Sequence, residues 1–289
     1  MVRLGGEGPS SHFEDRTGES FGGGGIGGGG LGLLMGLVGS RFGIVGILVL
    51  LLAYCAVSSL GGLGGGGGEG GQSAASRLDA KTQDFLVRTL GSTEEVWGEI
   101  FNKAGGSYTP TTLVAYNGGT QTACGIGQAA MGPFYCPNDQ KIYIDPAFFN
   151  ELSQRFQAPG DFAITYVIAH EVGHHIQNLE GTLERAQRAQ QSVGQAQGNA
   201  IQVGVELQAD CYAGVWAANA RDAQGSIIEP GDIEEGMRAA EAIGDDTLQR
   251  QTQGTVVPES FTHGSSAQRM EALRRGMTTG NPASCNYAR

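Results

Sequence analysis

Tyr166-Val167-Ile168-Ala169-His170-Glu171-Val172-Gly173-His174-His175-Ile176-Gln177 is the stretch whose reading decides the fold. On a helix, positions i and i+4 stand one above the other, so His170 and His174 point the same way. Two imidazoles placed like that can each offer a ring nitrogen to one Zn²⁺ ion. Glu171, one residue round, then borders the position left open for a water. The surroundings read as helix. Asp161 can cap the start, Ile164, Val167, Ile168 and Val172 supply an apolar face, and Gly181 can end it. The plainer reading is a helix whose surface histidines bind nothing, and a second constellation downstream weighs against it.

That constellation is Glu206-Leu207-Gln208-Ala209-Asp210, within a helix expected over residues 200–220. Two imidazoles leave a tetrahedral zinc one protein ligand short before water takes the fourth place. Glu206 is the candidate. Asp210, one turn on, can accept the other ring N–H of a ligand histidine and so fix its tautomer. A solvated acidic pair is the alternative, since Glu-x-x-x-Asp alone is common. Gly173 on one helix, with Ala209, Ala213 and Gly214 on the other, leaves room for close approach. In another metallopeptidase pattern a third histidine falls six residues after the second, past a glycine turn. Here Glu180 and Gln177 occupy those places, so that pattern fails, although Glu180 stays a rival third ligand. His175 points off the ligand face and reads as a surface or supporting group. His263, in Thr262-His263-Gly264-Ser265-Ser266, can enter the site from a loop as an oxyanion or substrate contact.

With residues 170–177, 206–216 (Glu-Leu-Gln-Ala-Asp-Cys-Tyr-Ala-Gly-Val-Trp) and 262–266 quoted together, the chain resembles the bacterial family of membrane-anchored neutral zinc metallopeptidases. It also resembles the broader Glu-zincins, in which HExxH is completed by a downstream glutamate with an aspartate four residues on. Those positions fall on Glu206 and Asp210. The resemblance implies a zincin fold, Zn²⁺ as cofactor and hydrolysis of peptide bonds in a peptide or protein substrate. Catalytic roles then fall to Glu171 as general base and to His263, with His170, His174 and Glu206 on the metal and Asp210 behind it. The extended glycine tracts and the glutamine-rich residues 187–202 depart from the family pattern.

The rest of the chain sets the organisation. At 289 residues it allows one or two domains. The expected class is α+β, mostly helical: a zincin-like domain after one N-terminal transmembrane helix. A net charge of −11, with no Lys/Arg cluster, excludes a nucleic-acid partner, because phosphates need a counterion-releasing surface. Residues 1–30 are polar and then glycine-rich, which predicts a disordered tail. Residues 42–60 carry no charge and, at about 1.5 Å per residue, match a hydrocarbon layer of roughly 30 Å. The upstream apolar run, residues 31–38, extends the expected anchor to 31–60. Arg3, Arg16 and Arg41 precede the span and no Lys or Arg follows until Arg77. The positive-inside bias therefore predicts a cytoplasmic N-terminus and an exported domain, periplasmic or extracellular. Residues 61–75 read as a glycine-rich linker and 76–289 as the metallopeptidase domain.

Within that domain, residues 78–90 are amphipathic, and Ser92 followed by Glu95 suggests a capping box for a second helix ending at Lys103. Strands are expected at 112–116 and 141–145, and a helix opened by Pro146. Residues 183–197 predict a polar surface helix. Cys124, Cys136, Cys211 and Cys285 form an even, exported set that suggests disulfides, with three pairings allowed. An extended peptide substrate is expected to pair with a strand edge, at 141–145 or near 132–135. The competing class is a membrane-tethered scaffold that keeps zinc only as a staple. Glu171 argues against it, because a structural site has no use for a general base.

Overall fold

The computed structural model describes residues 2–4, 8–19, 21 and 78–288. The candidate span at 42–60 lies outside them. Among the described residues no helix is long and apolar enough to cross a membrane.

Four strands form the sheet that carries the rest: β1 (Phe13–Asp15), β2 (Thr112–Ala115), β6 (Lys141–Ile144) and β5 (Phe134–Cys136), in the order β1-β2-β6-β5. The first three run parallel and β5 runs antiparallel to β6, with Tyr135 opposite Ile142. Side chains alternate across the pleat. Leu113, Ala115, Ile142 and Ile144 face the main helical core, while Val114 and Tyr143 share a small cluster with Cys136 and Tyr116. A hairpin of β3 (Gly119–Thr122) and β4 (Gly125–Gln128) precedes β5 and is tied to it by the Cys124–Cys136 disulfide. β6 is therefore internal, flanked by β2 and β5. It cannot offer a free edge to a peptide, which corrects one of the two expected docking strands and leaves β5 outermost.

Against the sheet lie α1 (Ala80–Lys103) and α3 (Asp161–Leu179), the latter preceded by the short α2 (Ala147–Gln154). The expected break at Ser92 does not occur. Ser92 is buried inside one continuous helix, and its hydroxyl accepts from the Trp216 indole at 3.1 Å rather than capping a turn. α3 is buried along most of its length on several sides, not on a single face. α4 (Thr182–Gln191) stops at Ser192, and α5 (Gln195–Asn219) starts five residues earlier than residue 200, the start expected from sequence. A two-residue hairpin, β7 (Arg221–Asp222) and β8 (Gly225–Ser226), leads to α6 (Asp232–Ala242), α7 (Asp245–Gln253) and α8 (Ser266–Thr279).

Two close approaches bring the site helices together. A Cβ on Gly173 would lie 2.9 Å from the Ala209 carbonyl, so α3 and α5 meet at glycine against alanine as expected. Gly214, expected on that same contact, instead faces α8. A Cβ there would sit 2.2 Å from the Leu273 carbonyl, and one on Gly276 would sit 2.0 Å from the Cys211 carbonyl. No side chain fits this crossing. It fixes how near α8 comes to the Glu206–Asp210 segment.

The N-terminal tail is part of the body, correcting the expectation of disorder for its described residues. Phe13–Asp15 pair in register with Leu113–Ala115, the Arg3 amide donates to the Ile227 carbonyl at 2.9 Å, and Val2 is buried. Apolar Val2 and Phe13 supply burial that a polar average conceals. The Leu78 amide donates to Thr17 Oγ1 at 2.9 Å, so the described chain leaves and re-enters at one place. β1 and β2 share one sheet.

Gly276→Ala should destabilise the protein by about 1–3 kcal/mol or more, the usual range for overpacking a closed contact. Denaturant melts of wild type and variant check this, and equal midpoints would contradict the crossing.

Candidate metal centre

Helix geometry puts His170 and His174 on one face of α3, with ring centroids 4.7 Å apart and planes at 87°. Glu206 comes from α5, where the Gly173–Ala209 contact holds the two helices close. Its Oε2 lies 3.2 Å from His170 Nε2 and 3.6 Å from His174 Nε2. One atom from each of these three residues lies within 4.8 Å of the other two. The other carboxylate oxygen, Oε1, accepts from Gln202 at 2.9 Å, which leaves Oε2 to the site. Glu180 lies elsewhere. It accepts from the Tyr212 hydroxyl at 2.8 Å, outside this group.

Both imidazoles are turned by their far nitrogens. His170 Nδ1 meets Asp210 Oδ1 at 2.8 Å, and His174 Nδ1 meets Gln177 Oε1 at 2.8 Å. Each acceptor requires an Nδ1–H, so each Nε2 is turned toward Glu206. Asp210 is fully buried and could not stand alone. Arg269 of α8 binds it through two nitrogens at 2.9 Å each, and the Tyr166 hydroxyl donates to it at 2.6 Å. Burial alone would raise the Asp210 carboxyl, but Arg269 and His170 outweigh it and hold the group at about 2.

These residues fit a dication. Burial works to keep the imidazoles neutral, yet the neighbouring Asp210 and Glu206 push His170 up to about 10 and raise His174 as well. Glu206 is held well below its usual range, against its own burial, chiefly by His174 and His170. A site whose carboxylates draw positive charge onto the facing nitrogens is built for a cation, and nitrogen with carboxylate oxygen is a zinc donor set.

Glu171 is buried beside this group, and that burial raises its carboxyl above the usual carboxylate range. His263 stands in the loop before α8. Asp245 arranges that loop: its Oδ2 accepts from the amides of Thr262, His263 and Gly264, and its Oδ1 lies 3.2 Å from His263 Nδ1. Burial disfavours the charged ring, but Asp245 and then Glu206 outweigh it, so His263 is raised and stands within electrostatic reach of Glu206. His175 is not a surface group. It is fully buried, donating from Nε2 to the Thr109 carbonyl at 2.7 Å and accepting from the Tyr135 hydroxyl at 3.0 Å. Through Tyr135 it clamps β5 to α3.

Sequence reasoning missed Arg269, Gln177, Gln208 and Asp245 as members of the site. A signal existed for one of them. A buried aspartate behind a ligand histidine needs a counter-charge, and Arg269 follows the Thr262–Ser266 motif by three residues. Arg269→Met should cost about 3–5 kcal/mol, because it leaves Asp210 buried without its cation. Urea unfolding of the metal-free protein measures this, and a loss under about 1 kcal/mol would contradict the network.

Comparison with known proteins agrees with the residues. A family model described as "Putative neutral zinc metallopeptidase" matches residues 3–288. The chain is 51% identical over 197 residues to "Uncharacterized protein YpfJ" of Escherichia coli K12, covering 68% of each chain. It is 41% identical over 210 residues to "Uncharacterized protein Rv2575" of Mycobacterium tuberculosis H37Rv, covering 70% of this chain and 69% of that one. No solved structure matches. The match spans the N-terminal tail as well as the metal centre, and the chain belongs to this neutral zinc metallopeptidase family.

Proposed function

We propose that the protein is a zinc-dependent endopeptidase with His170, His174 and Glu206 as metal ligands and Glu171 as general base. The observation that carries this reading is the convergence of two Nε2 atoms and one carboxylate oxygen, with the other polar atom of each of those side chains already committed. Zinc held there would supply a Lewis acid that lowers the pKa of a water from about 15.7 toward ~7.

The chain's own residues do the rest. Glu171 takes the proton of the water that attacks the peptide carbonyl and passes it to the leaving amine. His263, steadied by Asp245, donates to the oxygen on which negative charge develops. The outer edge of β5 receives the substrate as an added strand. Tyr135, clamped by His175 and by Asn178 at 3.1 Å, keeps that strand in place relative to the His170–His174 helix. The scaffold reading has no observation in its favour, and a buried Glu171 beside the ligands speaks against it.

Glu206→Ala should lose most of the zinc, measured by competition with a chromogenic chelator. Glu171→Gln should keep the metal yet cleave a mixed peptide library at least ~10²-fold more slowly. Equal cleavage by wild type and Glu171→Gln contradicts the mechanism, and none by either supports the scaffold.

We further propose that the folded body lies outside the cytoplasm with residues 2–19 on the same side. Support for export comes from the two disulfides, Cys124–Cys136 and Cys211–Cys285, which persist in oxidising compartments. Support for the shared side comes from β1, which pairs with β2. A membrane-impermeant maleimide on intact spheroplasts should label Glu19→Cys and Glu259→Cys alike. Labelling at position 259 alone would restore the single crossing.

A further inference from the structure

His174 has a different kind of support from His170, and it runs further. Gln177 Oε1 accepts from His174 Nδ1 at 2.8 Å, so Gln177 Nε2 must turn the other way. It donates to the Val205 carbonyl at 2.7 Å and to Gln208 Oε1 at 3.0 Å. Gln208 Nε2 is then left to donate to the Cys285 carbonyl, 2.9 Å away. Both chain ends in this direction are backbone carbonyls, which accept and never donate. Reversing either amide would set N–H against N–H or oxygen against oxygen. The polarity is therefore forced from Cys285 to His174. Gln177 is fully buried, Gln208 is 7% exposed, and water has little access to stand in for either. The far end is pinned as well, since Cys285 is bonded to Cys211 one turn beyond Gln208 on α5.

We propose that Gln177 and Gln208 are positioning residues for His174, and that the Cys211–Cys285 disulfide anchors the amide chain that directs its Nε2 toward the metal. The inference rests on the zinc reading above. It makes the C-terminal disulfide part of the metal centre's support, although neither sulfur approaches the ligands. His170 depends on Asp210 and Arg269 instead, so the two histidines should respond independently.

The test is zinc affinity, by chelator competition, together with ¹⁵N spectra of the imidazole Nδ1–H groups in the zinc-loaded full chain. Gln177→Met keeps volume but removes the acceptor and both donors, and should weaken zinc about 10–100-fold. Gln208→Met leaves Gln177 its Val205 bond and should cost less, several-fold, which keeps the proposal testable if the first variant does not fold. In both, and in the Cys211→Ser/Cys285→Ser pair, the His174 Nδ1–H resonance should shift or exchange faster while that of His170 stays. Unchanged affinity with an unmoved His174 resonance overturns the relay, as does equal movement of both histidines, which would mean general loosening. A wild type that binds no zinc in the same titration contradicts the metal centre itself, and the relay with it.

Discussion

A carboxylate with no access to water holds this site together. Asp210 is fully buried, and ionised there it needs both a cation and saturated lone pairs. Arg269 of α8 supplies the charge, while Tyr166 and His170 of α3 supply further donors, so three helices are committed to one group. The arrangement has one consequence for packing and another for chemistry. α8 must lie against α5, which the side-chain-free crossing of Gly214 and Gly276 allows. His170 must present Nε2 to Glu206, because its other nitrogen is taken. Stability and the direction of the His170 ring thus rest on the same contacts. A change that loosens the core around Asp210 also misdirects that imidazole.

Much of the site was legible because helical spacing is short-range. His170 with His174, and Glu206 with Asp210, are each separated by one turn, so the faces they share follow from local geometry alone. Their meeting was legible too, through Gly173 against Ala209. The support behind the ligands was harder to read. Arg269 and Asp245 act across distances in sequence that no local period encodes, and glutamines such as Gln177 and Gln208 look like ordinary polar helix residues until their partners are known. Gly214 was assigned to the wrong neighbour for the same reason: a small residue announces a close approach but does not say to what. The continuous α1 shows the reverse error. Ser92 and Glu95 satisfy a local capping pattern, yet burial of Ser92 under Trp216 makes tertiary packing the stronger influence.

The tail is the clearest case of composition misleading. Averaged over thirty residues it is polar and glycine-rich, but three of them, Phe13–Asp15, complete the sheet beside β2, and Lys141 of β6 binds Glu14 across it. A strand this short is invisible to any windowed reading. Its partner strand, β2, is buried on both faces, so β1 covers an edge that would otherwise expose backbone groups. The result ties Thr17 and Leu78 to one place on the domain.

The central claim is that His170, His174 and Glu206 hold one zinc and leave a position open beside Glu171. Anomalous diffraction from crystals of the zinc-loaded protein, recorded on both sides of the zinc absorption edge, tests it most directly. The account predicts one strong peak about 2.0–2.2 Å from His170 Nε2, His174 Nε2 and a Glu206 oxygen, with water in the remaining place. A peak ligated by other residues, or one closed by four protein ligands, would contradict it.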